Sequence, residues 1–155
     1  MKSEKLTPQQ AHQKIKQFCA YQERCHSEVQ DKLYSYGLTG PEVGETISKL
    51  VEENYLNEER FAIQFAGGKF RAKQWGRVKI KYELKLRRVS EYCIRKGLAA
   101  IDNSAYEGTL QKLATQKLKL LKGEKNIFIK KRKLQDFLLS KGFETALIRN
   151  YLDEV

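Results

Sequence analysis

One spacing recurs along this chain and limits what it can fold into. Leu33, Gly37 and Leu38 are answered by Leu84, Arg88 and Val89, and again by Leu138, Gly142 and Phe143, at offsets of 51 and then 54 residues. Five residues further on stand Val43, Ile94 and Ile148, and four beyond those Ile47, Leu98 and Leu152. A near-constant period of this length signals a supersecondary unit used three times. Within each unit the apolar residues recur at helical spacing, as with Ala11, Ile15, Phe18 and Cys19, or Val43, Ile47, Leu50 and Val51. No strand alternation is long enough to compete. The expectation is an all-α protein of three tandem three-helix repeats, at about 7–54, 57–98 and 104–155, stacked into an elongated, curved body within a single 1–155 domain.

Helix boundaries are written in the local chemistry. Thr7-Pro8-Gln9-Gln10 combines a capping threonine, a proline in the first turn and a glutamine at the third position. Ser27 and Ser104 are each followed by Glu or Gln three residues later and read as further capping boxes; Gly40-Pro41 opens a third helix, and Asn57 and Ser90 read as caps. Gly37, Gly97 and Gly142 are placed as helix stops.

Charge is unevenly distributed. The net charge of +11 comprises −2 over residues 1–60, +9 over residues 61–100 and +4 over the remainder. So basic a middle points to a polyanion, or to an acidic protein groove, as partner. In a helix over 76–88, Arg77, Lys81, Lys85 and Arg88 fall within an arc of roughly 80°. Ile80 and Leu84 flank that arc on one side and Val78, Tyr82 and Leu86 on the other, so the helix is expected to pack on two sides and leave a cationic ridge outward. Lys69, Arg71 and Lys73 lie just upstream, and Lys130, Lys131, Arg132 and Lys133 form a second basic run.

The same residues exclude several chemistries. Gly68-Lys69 is not a phosphate-cradling loop, because Ile63 stands where the first glycine is needed and Phe70 where a hydroxyl must hold magnesium. The pair Gly67-Gly68 is read instead as admitting a close neighbour, a packed helix or a partner's backbone. His12 and His26 lack a nucleophile-and-carboxylate setting. Three cysteines, Cys19, Cys25 and Cys93, fit neither a disulfide framework nor zinc spacing. No enzyme, metal or cofactor is expected. No apolar run could span a bilayer, and MKSEKLTPQQ lacks the apolar core of a secretory signal, so a cytoplasmic protein with no membrane partner is expected.

NYLNEERFA (54–62) and WGRVKIKYEL (75–84) resemble the RecX family of bacterial recombinase regulators. That family carries Y-L-[DN]-[DE]-x-R-F-A before a basic helix, then G-x-x-[KR]-I-x-x-E-L, matched here by Tyr55, Leu56, Asn57, Glu58, Arg60, Phe61 and Ala62, then Gly76, Lys79, Ile80, Glu83 and Leu84. Upstream, CAYQERCHSEVQDKLYSYG is similar to the family's first-repeat pattern at Arg24, His26, Ser27, Lys32, Leu33 and Gly37. The chain departs from it where Arg87-Arg88-Val89 replaces the usual K-G-I or K-G-V. The resemblance implies a protein that lies along the RecA–DNA filament and restrains ATP hydrolysis and strand exchange; such a regulator is expected to be a monomer and to bind DNA weakly and salt-sensitively. On that basis the two basic clusters are expected to be the contact surface. A stand-alone, sequence-nonspecific DNA-binding module is the alternative reading.

Overall fold

The structure is a computed structural model and describes residues 5–155; residues 1–4, part of the stretch read for a secretory signal, lie outside them. Nine helices and no strand occur among the described residues: α1 Pro8–Tyr21, α2 His26–Ser35, α3 Gly40–Glu52, α4 Glu58–Lys73, α5 Arg77–Leu86, α6 Glu91–Ala99, α7 Asn103–Leu120, α8 Ile127–Ser140 and α9 Thr145–Asp153. They follow the expected grouping in threes.

The period read from the sequence is also a period of burial. Leu33, Leu84 and Leu138 are fully buried, and so are Val29, Ile80 and Leu134 one turn earlier. Val43, Ile94 and Ile148 are buried as well. The backbone repeats too, since Gly37, Arg88 and Gly142 all adopt positive φ, at 90°, 59° and 95°. Left-handed residues at equivalent positions end α2, α5 and α8 in the same way, each followed by an apolar residue that turns back into the core. Arg88 does this without being glycine.

Contacts divide the chain into two compact units. The first comprises the residues up to Gln64 together with Leu84–Gly97, and the second Phe65–Glu83 together with Leu98–Val155. In the first unit α1, α2 and α3 enclose Ala11, Ile15, Val29, Leu33, Val43 and Leu50. Gly97 sits inside α6 rather than ending it, because its missing Cβ lets the helix approach Ala62; a methyl there would lie 2.6 Å from the Ala62 carbonyl oxygen. In the second unit Tyr106 is fully buried between Phe70 and Phe143, with ring centroids 5.7 and 5.2 Å away.

Several caps match expectation. Thr7 and Gln10 form the reciprocal box, Asn57 Oδ1 accepts the Arg60 N–H at 2.9 Å, and Ser90 Oγ accepts that of Cys93 at 3.2 Å. Others shift by a residue or two. Thr39, with Glu42, caps α3 ahead of Gly40-Pro41, and Asp102 rather than Ser104 caps α7. The expected box at Ser27 does not form: Cys25 holds the cap position, and Ser27 Oγ donates instead to the Arg87 carbonyl at 2.7 Å.

Candidate interaction surface

The basic residues named from the sequence meet different fates once folded. Arg77 is the clearest correction, because it does not stand outward on a ridge. Its guanidinium donates to Glu144 at 2.9 Å and to Asn103 at 2.7 Å, and lies 3.8 Å from the Tyr106 ring centroid. The Tyr106 hydroxyl accepts the Arg77 backbone N–H at 2.9 Å and donates to Glu144. Burial, reinforced by that bond to Glu144, raises the phenol's pKa far above its ordinary value. Arg77 therefore ties the start of α5 to α7 and α9 inside the second unit. Its position on the helix arc was right, but the arc does not reveal that another helix end lies over it.

Other members remain available. Lys81 and Lys85 are exposed on α5, and Arg88 is exposed with only a distant ion pair to Asp31 at 3.9 Å. The expectation that α5 packs on two sides fails. Ile80 and Leu84 are buried, but Val78 and Tyr82 are 54% and 61% exposed, and Leu86 is equally open. What α5 offers is thus not a bare ridge of cations but cations beside apolar and aromatic side chains. The sequence contained this signal in the i, i+4, i+8 spacing of Val78, Tyr82 and Leu86, which reads equally well as a packed face.

On α4, Lys69 is half-buried, with its ammonium 5.5 Å from the Phe65 ring and 5.2 Å from that of Trp75. Lys79, matched in the family motif but not among the expected contact residues, reaches the same indole at 4.9 Å. Such contacts hold a cation in place without neutralising it. Arg71 and Lys73 are exposed. A Cβ on Gly67 would first meet the Arg71 guanidinium of its own helix, at 2.7 Å, and one on Gly68 would meet nothing within 4 Å, so Gly68 does not serve close packing of another helix. In the last repeat Lys130 and Lys131 are half-buried, Arg132 is exposed, and Lys133 pairs with Glu124 at 3.4 Å.

In the first unit both histidines face carboxylates, and two of the three thiols are buried. His12 Nε2 lies 2.7 Å from Glu53 and His26 Nδ1 3.5 Å from Glu58. Burial pushes the Cys19 thiol up to about 11 and raises that of Cys25, which disfavours the nucleophilic thiolate. Among the described residues no three His, Cys, Asp or Glu side chains assemble to hold a metal ion, and no helix is long and apolar enough to cross a membrane.

Fold and surface together define a tandem three-helix repeat protein that exposes cationic and apolar side chains side by side. Two family models match it: the second three-helix domain of RecX over residues 57–98, and the third over 106–152. A regulatory protein RecX of Chlorobium phaeobacteroides is 32% identical over 135 residues, covering 86% of both chains. One from Clostridium perfringens is 35% identical over 122 residues, covering 78% of this chain and 57% of that relative. The crystal structure of RecX from Lactobacillus salivarius superposes with a TM-score of 0.85 over 96% of this chain and 97% of that one, at 22% identity, so the likeness there is one of fold. The chain belongs to the RecX family of regulatory proteins.

Proposed function

We propose that this protein regulates a RecA-type recombinase by binding its filament on DNA and restraining ATP hydrolysis and strand exchange. Family membership supports the regulatory role. The observation that carries the partner is the outer face of α5, where Lys81 stands beside exposed Val78 and Tyr82 in a segment of net charge +9. Cations alone would serve any polyanion. Cations interleaved with apolar side chains suit a composite partner, in which acidic protein surface and bound DNA supply charge and the protein also supplies apolar contact. Lys85, Arg88, Lys69, Arg71 and Lys73 extend the same charge along the chain. Binding carries the whole function, with no nucleotide, metal or chemistry contributed by this chain.

The test is recombinase ATPase on single-stranded DNA with rising amounts of this protein. Inhibition is expected well below the concentration that coats free DNA. Reversing Lys81 and Lys85 to glutamate should weaken inhibition while leaving helicity unchanged, since both are exposed. Arg77 is left out of that set, because its loss would disturb the fold. Inhibition only at saturation of the DNA would favour the stand-alone DNA-binding module instead.

A further inference from the structure

The connection between α7 and α8 carries a feature that α5 does not explain. Residues 108–135 hold nine Lys or Arg against a single acid, Glu124. Glu124 is already engaged: its carboxylate accepts the Asn126 N–H at 3.2 Å and pairs with Lys133 at 3.4 Å. Among the described residues, Lys119, Lys122, Lys125, Lys130, Lys131 and Arg132 form no ion pair. Amid these cations four large apolar side chains stand open. Leu120 ends α7 at 79% exposed, Phe128 in the first turn of α8 is 82% exposed, and Ile127 and Ile129 beside it are also exposed. A short connection between packed helices brings these residues to one end of the hairpin. Single exposed apolar residues are ordinary; a group of them interspersed along the chain with cations that form no ion pair is not.

We infer that this α7–α8 tip is a contact site for single-stranded DNA, in which Phe128 stacks on an unpaired base while the surrounding lysines and Arg132 neutralise the flanking phosphates. Charge decides the polyanion: eight excess positive charges call for a ligand with dense, repeating negative charge. The aromatic decides the strand, because a base face is free to stack only where it is unpaired. The amides at the start of α8 do not take a phosphate, since Asn126 Oδ1 already accepts from the Phe128 and Ile129 N–H groups. Phosphates are therefore met by side chains. An anionic lipid surface fits less well. The apolar face of α8 is spent in the core through Leu134 and Leu138, so the helix cannot lie in a membrane interface.

This inference rests on the filament reading only for its choice of DNA as the polymer. It is tested without recombinase, so either can fail alone. Fluorescence anisotropy with a labelled oligothymidylate, and with a duplex of equal length, compares wild type with Phe128→Ala, Phe128→Trp and a triple variant, Lys122→Gln, Lys125→Gln and Arg132→Gln. All four positions are exposed, so circular dichroism should be unchanged. Phe128→Ala is expected to bind the single strand about tenfold more weakly, with an unaltered salt slope and little change on duplex. Phe128→Trp should restore binding. The triple variant should flatten the salt slope by about 0.7 for each phosphate that is no longer neutralised. Wild-type affinity in Phe128→Ala, or an equal loss on duplex, would overturn the proposal. So would a Phe128-dependent gain on phosphatidylserine vesicles that is absent on DNA, which would assign the tip to lipid.

Discussion

Gly76 and Gly142 meet backbone to backbone, closely enough that a Cβ on Gly76 would overlap the Gly142 carbonyl group. The Gly76 N–H donates to the Lys141 carbonyl at 2.8 Å, and the Val78 N–H to that of Gly142 at 2.9 Å. The start of α5 is thus held on the end of α8 by main-chain bonds, which no side-chain movement can preserve if the backbones separate. Gly76→Ala should cost about 2–3 kcal/mol in urea denaturation. Gly68→Ala, facing open space inside α4, should instead stabilise by about 0.5–1 kcal/mol through helix propensity.

Arg88 holds the left-handed conformation that glycine holds at the two equivalent turns, with φ of 59°. A non-glycine residue there carries a conformational cost of about 1–2 kcal/mol. Arg88→Gly should therefore raise the denaturation midpoint, by about 1 kcal/mol of stability. An unchanged midpoint would mean that the ion pair to Asp31 offsets the strain, which its 3.9 Å separation and high exposure argue against.

These two turns show what sequence reading reaches and where it stops. The period of Leu33, Leu84 and Leu138 was legible because burial and helical spacing are local and repeat. Even the departure at Arg88 was visible, though not that the backbone would keep the glycine geometry. What escaped depends on residues far apart in the chain. Ser27 forgoes its own helix for a carbonyl 60 residues on, and Arg77 turns inward because Glu144 and Tyr106 wait for it. For Val78 and Tyr82, spacing identifies an apolar face but not whether anything covers it.

Tyr106 links this packing to pH. In the unfolded chain its phenol ionises near pH 10, as any tyrosine does. Burial first, and then its hydrogen bond to Glu144, keep it protonated in the fold. Its contribution to stability is complete below pH 10 and falls as pH rises past that value, because only the unfolded state gives up the proton. Tyr106→Phe should flatten the decline in denaturation midpoint between about pH 9.5 and 11, the range around the ordinary tyrosine pKa. At neutral pH the same change should cost about 1–3 kcal/mol, since it strips a partner from Glu144 and from the Arg77 N–H.

The three thiols should separate by reactivity. Cys19 and Cys25 are buried with raised pKa values, whereas Cys93 is half-buried. Titration of the native protein with an aromatic disulfide reagent at about pH 8 should label Cys93 first and leave the other two until denaturant is added. Cys93→Ser should then react only on unfolding.

The filament reading is tested most directly by measuring the affinity of this protein for recombinase filaments on single-stranded DNA and for the same DNA bare, at matched salt. Binding to the filament should be tighter, and Lys81→Glu with Lys85→Glu should weaken filament binding more than binding to bare DNA. Equal affinity for both, with equal loss in the variant, would contradict the assignment and leave a protein that recognises only DNA.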